Sequence, residues 1–271
     1  MPALYVVATP IGNLEDISLR ALRILREVKL IAAEDTRKTR RLLTTYDIKT
    51  PMTSYYEHNK LTKLDYILSR LDGGDVALVS EAGTPGLSDP GYELISAATR
   101  NGIQVVPIPG ASVVITALTI SGLATDRFTY LGFLPRKAGE RRKLLETAAG
   151  DPGSVVVLEA PHRLGVTLKD LMDIFGDRRI AVCRELTKLH EEVFRGAISQ
   201  AIGHFSEPRG EFTLVIEGKV KTLEEGLTEG VKKQLRGMQR SGIKAKEAVA
   251  QVAGETGLSK KELYRVWLEQ A

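Results

Sequence analysis

The sequence predicts an α/β protein of two lobes followed by a small helical tail, and three observations carry that reading. Short runs rich in Val and Ile alternate with longer segments of helical period. The runs are near-continuously apolar rather than alternating, and a second such series begins after about residue 120. Strands separated by helices imply βαβ units, and strands apolar on both faces imply a parallel sheet covered on both sides. A length of 271 residues fits about two domains. The expected division is an N-terminal α/β domain over 1–120, a mixed-sheet α+β domain over 121–220, and a small helical C-terminal domain over 221–271.

Tyr5–Ala8, Val76–Ser80 and Gln104–Ile108 read as buried strands of the first lobe. Leu19–Val28 places Leu19, Leu22, Leu25 and Val28 at helical spacing, with Asp16 or Ser18 available as N-cap. Lys60–Leu71 and Tyr92–Thr99 have the same period. In the second lobe Phe128–Phe133, Ser154–Glu159 and Ile180–Arg184 read as strands, and Gly139–Ala149 and Leu164–Phe175 as helices, the latter stopped by Gly176. Glu191–Gly196 and Glu211–Glu217 alternate more, as antiparallel strands would, with Glu211 outward and Phe212 inward. Ser121–Arg127 is the expected linker. In the tail, Val231–Met238, Ala245–Gly254 and Lys260–Glu269 read as three short helices in which basic residues outnumber acidic ones. Helices of this size serve equally as a capping bundle or a nucleic-acid-binding unit.

Composition narrows the function classes. With 43% hydrophobic and 27% charged residues the chain can build a proper core and is not a disordered or collagen-like polymer. One cysteine, Cys183, allows neither an intramolecular disulfide nor a Cys-based zinc site, so a reducing, cytoplasmic setting is expected. Met1–Val7 lacks the basic start of a signal peptide, and Val113–Ala124, the longest apolar stretch, is too short and too polar to cross a membrane. A net charge of +4 permits an anionic partner without demanding one. His58, His162, His190 and His204 lack metal-ligand spacing, so no metal is expected.

The candidate site lies in loops that directly follow strands. Thr9–Asn13, Glu81–Gly86 and Pro107–Ser112 would all emerge at the carboxyl edge of a parallel sheet, where open α/β folds bind ligands. Glycine lets backbone approach a ligand, and proline fixes the loop in advance. Asp89 and Pro90 read as the start of the next helix. No Gly-x-Gly-x-x-Gly follows the first strand, no Gly-x-x-x-x-Gly-Lys-Ser/Thr occurs, and no Gly-x-Ser-x-Gly elbow is present. Dinucleotide, polyphosphate and Ser-hydrolase sites are therefore unsupported. Such loops suit an adenosine-like or amino-acid-like ligand.

Three polar clusters flank these loops. Glu34 and Asp35 end a strand, and Arg37, Lys38, Arg40 and Arg41 follow on a helix capped by Asp35 or Thr36. Arg37, Arg40 and Arg41 would share a face suited to RNA phosphates or simply to solvent. Ser54–Asn59 carries Tyr55 and Tyr56 for stacking on bases, with His58 and Asn59 as polar partners or helix caps. Glu159–Arg163 ends a strand of the second lobe, with His162 and Arg163 facing the cleft or capping a helix.

Taken in order, LYVVATPIGNLED (4–16), AEDTR (33–37), SYYEHN (54–59), VSEAGTPGLSDPG (79–91), VPIPGAS (106–112) and EAPHR (159–163) resemble one family. It is the small-subunit ribosomal RNA cytidine 2′-O-methyltransferases of the tetrapyrrole-methylase (class III) superfamily. The resemblance spans residue 4 to about 217, and Glu81 stands where aspartate is the commoner residue. It implies two α/β domains holding S-adenosylmethionine in the cleft between them. The implied acceptor is the ribose 2′-hydroxyl of a decoding-centre cytidine in 16S (small-subunit) rRNA, presented on an assembled subunit, and the implied assembly is a homodimer. Carried over, the cofactor contacts are Pro10, Ile11, Glu81, Ala82, Gly83, Thr84, Asp89, Ala111 and Ser112 from the first lobe. Leu158, Glu159, Phe212, Thr213 and Leu214 join them from the second.

Such a transfer is an in-line displacement that also needs an acceptor for the hydroxyl proton. The candidates are Glu34, Asp35 and His58, with His162 behind them; the carboxylates are favoured. RNA contacts are expected from Arg37, Lys38, Arg40, Arg41, Tyr55, Asn59, Arg163 and the tail. The competing readings are a methylase of a small tetrapyrrole, against which the basic row and the tail argue, and a non-catalytic RNA-binding module, against which the intact Gly/Pro loops argue.

Overall fold

The computed structural model describes residues 2–219 and 229–269. Five strands form the first sheet: β1 (Ala3–Val7), β2 (Leu30–Ala33), β3 (Met52–Ser54), β4 (Val76–Val79) and β5 (Gln104–Ile108). Their order is β3-β2-β4-β1-β5 and every pairing is parallel, as buried apolar runs require. The helices cover both faces. α1 (Leu19–Glu27) and α2 (Thr36–Thr45) bury Ala21, Leu22, Leu25, Leu42 and Leu43 on one side; α3 (Lys60–Leu71) and α4 (Tyr92–Arg100) bury Ile67, Leu71, Leu94 and Ala98 on the other. Ser18 caps α1 by accepting from the Ala21 amide at 3.1 Å. α5 (Val113–Ser121), which the sequence offered only as an apolar stretch, packs Val114, Ala117 and Leu118 against the second sheet.

The second sheet has the order β6-β7-β10-β8-β9, made of β6 (Phe128–Phe133), β7 (Ser154–Glu159), β8 (Arg179–Arg184), β9 (Glu192–Ala197) and β10 (Phe212–Ile216). β6 and β7 are parallel; the other pairings are antiparallel. β10 departs from the expectation of a half-exposed strand, because it lies between β7 and β8 and all five of its residues are buried. Phe212, Leu214 and Ile216 face the helix-covered side, under α6 (Ala138–Ala148), α7 (Pro161–Phe175) and α8 (Ile198–His204). Val215 faces α5 and Ile11. This alternation, together with position along the strand, sets which β10 residues reach a cleft: Phe212 and Thr213 at its start do, Leu214 and Ile216 do not.

The tail helices are α9 (Glu229–Arg240), α10 (Ala245–Thr256) and α11 (Lys260–Glu269), packed around Leu235, Val252, Leu263 and Trp267. The expected boundary at residues 220 and 221 lies outside the described residues. Among the described residues no helix is long and apolar enough to cross a membrane.

Candidate functional site

Every strand of a parallel sheet delivers its following loop to the same edge, and three such loops meet the second sheet here. The loop after β4 folds back on the loop after β1: Thr9 and Gly83 exchange backbone hydrogen bonds of 2.8 and 3.0 Å. Gly83 has φ +77°, a left-handed conformation that a side chain at this point would strain. The Glu81 amide donates to Glu34 Oε2 at 2.9 Å, tying the end of β2 to the same loop. Across the gap the Ser88 and Tyr130 hydroxyls lie 2.8 Å apart. Ser88 holds φ +68° without being glycine, a conformation retained where surrounding contacts over-determine it.

These contacts enclose a cavity of about 570 Å³, within the usual range for a small-molecule site. The first lobe lines it with Ile11, Glu34, Glu81, Ala82, Gly83, Thr84, Asp89 and Ser112; the second lobe adds Tyr130, Leu158, Glu159, Glu211, Phe212 and Thr213. Among the described residues no Lys, Arg or His lines it, whereas five carboxylates do. Glu159 is 1% exposed and accepts from Thr167 Oγ1 at 2.6 Å and the Ala160 amide at 2.9 Å. Burial pushes the Asp89 carboxyl up to about 7, the charge of Glu34 adds to the rise, and the Ser80 hydroxyl works against it. The Glu34 carboxyl is raised as well, chiefly by burial and then by Asp35, with Lys38 opposing. Three of the five carboxylates are ion-paired from outside the cavity: Glu81 to Lys38, Glu159 to Arg163 at 3.4 Å and Glu211 to Lys188 at 2.8 Å. Among the described residues, Glu34 and Asp89 are the carboxylates left without a cationic partner there, and they favour a cationic ligand group over a phosphate.

The structure separates the sequence candidates. Glu34 faces the cavity. The Asp35 carboxylate is spent on capping α2, accepting from the Arg37 amide at 2.8 Å and the Lys38 amide at 3.3 Å, which holds its pKa down. His58 is exposed beside Tyr56 and His162 is exposed on α7; neither lines the cavity. Asp89 is not a helix cap, because α4 begins at Tyr92, and its carboxyl is left to the cavity. Three of the expected cofactor residues do not line this cavity. Leu214 points into the core beneath α7, Ala111 packs beside α5, and Pro10 lines an adjoining chamber.

The RNA candidates also divide. Tyr55 is 0% exposed and has no face to offer a base; Tyr56 is the exposed ring. Asn59 is consumed locally, accepting from the Tyr56 amide at 2.8 Å and donating to Ser54 Oγ at 3.0 Å. Arg163 donates to the carbonyls of Leu134 and Pro135 at 2.9 and 3.0 Å, bracing the second lobe instead of facing solvent. On α2, Lys38 and Arg41 line the chamber beside the cavity, with Lys38 paired to Glu81, while Arg37 and Arg40 are exposed outside it. Sequence reasoning missed Tyr130, Ser88 and Glu211 as cavity residues. Glu211 carried a usable signal, as the charged residue that opens an apolar strand.

Residues 3–202 match the model of the tetrapyrrole (corrin/porphyrin) methylases. The chain belongs to that family. Within it, this methylase is 44% identical over 274 residues to the ribosomal RNA small subunit methyltransferase I of Halalkalibacterium halodurans, with 98% of this chain and 95% of that one covered. It is 46% identical over 274 residues to the protein of the same name from Synechocystis sp., covering 99% and 98%. A third relative of that name, from Thermotoga maritima, is 48% identical over 222 residues, which is its whole length and 81% of this chain. Among solved structures, the native form of uroporphyrin III C-methyl transferase from Thermus thermophilus superposes with a TM-score of 0.61 at 20% identity, covering 79% of this chain and 97% of that one. The methylase therefore has the tetrapyrrole-methylase fold.

Proposed function

We propose that this methylase transfers a methyl group from S-adenosylmethionine to the ribose 2′-hydroxyl of a cytidine in the decoding centre of 16S rRNA, in the cytoplasm, acting as a homodimer on the small ribosomal subunit. The observation that carries the reading is the polar lining of the cavity: about 570 Å³ edged by carboxylates, hydroxyls and backbone, with Glu34 and Asp89 facing it without a cationic partner and no cation among its described lining residues. That donor set fits a ligand with a sulfonium and an ammonium, and the family match and the names of the relatives supply the rRNA acceptor.

The cofactor would be held by the Glu81–Thr84 loop, Asp89 and Ser112 on one side and by Leu158, Phe212 and Thr213 on the other. When bound it supplies an electrophilic methyl group. The chain's own contribution is to orient the acceptor hydroxyl and exclude water, which is where most acceleration of an in-line displacement originates. Glu34 takes the hydroxyl proton. Of the candidates it is the one that both faces the cavity and has a carboxyl raised toward neutrality, which brings it nearer the strength of a useful base.

The test is to map ribose methylation on small-subunit rRNA from cells with and without the gene. Loss of one cytidine mark on deletion, restored by the wild-type chain and not by Glu34→Gln, is the expected result. An unchanged methylation map would refute the assignment.

A further inference from the structure

Beside the cofactor cavity lies a second chamber of about 330 Å³, between α2 and the segment that joins β8 to β9. The two chambers share the carboxylates Glu81 and Glu211, yet the cations Lys38, Arg41 and Lys188 line only the second. The basic groups thus lie on one side of the cleft, with Lys38 and Lys188 paired to the boundary carboxylates Glu81 and Glu211.

The joining segment is tied by hydrogen bonds that place Lys188 at this rim. Glu185 and Thr187 both take left-handed backbone, at φ 49° and 67°. Thr187 Oγ1 accepts from the Asn13 amide at 3.0 Å, and the Thr187 amide donates to Glu191 at 2.6 Å. Gly12 passes so close beneath that a Cβ there would sit 2.5 Å from the Lys188 side chain. Lys188 Nζ then lies 3.1 Å from Glu185 and 2.8 Å from Glu211. Across the chamber Lys38 is paired with Glu81, and Arg41 has no ion-pair partner among the described residues. The Lys188 ammonium, held by Glu185 and Glu211, lines the same chamber, an arrangement that suits an anion docking against Arg41 and within reach of Lys188.

We propose that this chamber holds a backbone phosphate of the acceptor strand, with Arg41 and Lys188 as the positioning residues that set the target nucleotide against the cofactor cavity. The proposal rests on the reading above that the acceptor is RNA. Phosphate contacts fix register without reading sequence, which is the task a ribose-directed enzyme must perform.

The full-length protein is titrated with purified small-subunit rRNA across a salt series, and with S-adenosylmethionine by calorimetry. Arg41→Gln and Lys188→Gln are each expected to weaken RNA binding by about tenfold and to flatten the salt slope by about one. Lys188→Arg retains the wild-type slope, and cofactor affinity stays unchanged in all three. Should the joining segment collapse in Lys188→Gln, Arg41→Gln decides alone. Wild-type RNA affinity and slope in Arg41→Gln would overturn the proposal while leaving the rRNA reading intact. Loss of cofactor affinity in step with RNA affinity would overturn it too, by placing the cofactor in this chamber. A wild-type chain that neither binds rRNA nor methylates stripped small subunits would remove the underlying reading as well.

Discussion

The two lobes contribute to one cleft in different ways. The first supplies loops at a sheet edge, where the work is done by backbone: a left-handed Gly83, the Thr9–Gly83 bridge and the Glu81 amide bound to Glu34. The second supplies strand ends and the side chains on them, with Phe212 and Glu159 almost wholly buried and Leu158 half-buried. Cleft geometry made of loop backbone can be spoiled without unfolding the protein, whereas geometry made of core side chains is inseparable from stability.

Substitutions can break that contrast, and the largest effect belongs to the first lobe. Gly83→Trp puts a ring into the cavity on a backbone already in the left-handed region. Cofactor affinity by calorimetry should fall by about a hundredfold or more, with circular dichroism that still reports a folded protein. Glu34→Gln keeps the size of the side chain and removes the base, so single-turnover methyl transfer should drop by about 10²–10⁴ while cofactor binding changes far less. Phe212→Ala tests the other lobe. Truncating a ring that is 2% exposed should cost about 3–5 kcal/mol in denaturant unfolding, so here a loss of cofactor binding comes together with a loss of stability.

Smaller effects sharpen the contrast further. Asp89 releases its proton near 3.8 when unfolded and at about 7 when folded, so the folded state holds that proton more tightly. Its contribution to stability is complete below the unfolded value and is lost as pH rises through about 7. Asp89→Asn should therefore raise the melting temperature by a few degrees at pH above 7 and leave it nearly unchanged near pH 4, as a pH series of thermal melts will show. Asp35→Ala removes only the cap of α2. It should cost about 1 kcal/mol of stability, and by removing a neighbouring negative charge it should move the acid limb of the pH profile of methyl transfer slightly downward, whereas Glu34→Gln abolishes that limb.

The same contrast explains what could be read from the chain alone. Gly and Pro announce first-lobe loops because their backbone freedom is a property of the residue itself, so Glu81–Thr84 and Ser112 were legible before any fold was known. Second-lobe contacts depend on which face a strand side chain takes. Leu214 shares its face with Phe212 and Ile216 and is turned into the core, although its neighbour Thr213 reaches the cavity. Tyr55 was misplaced for a related reason. It follows the three-residue strand β3, and the period of two carries it inward with Thr53 while Tyr56 turns out. So short a strand gives no pattern of its own. Tyr130, Ser88 and Lys188 meet their partners only through tertiary folding, and nothing local marks them.

The central claim is that the carboxylate-lined cavity between the lobes is the seat of the methyl donor. A crystal structure of the protein with S-adenosylmethionine tests it most directly. The account predicts the cofactor between the Glu81–Thr84 loop and the Phe212–Thr213 strand end, away from the chamber of Arg41 and Lys188. The cofactor bound against those cations, or a cavity closed by its own side chains, would contradict it.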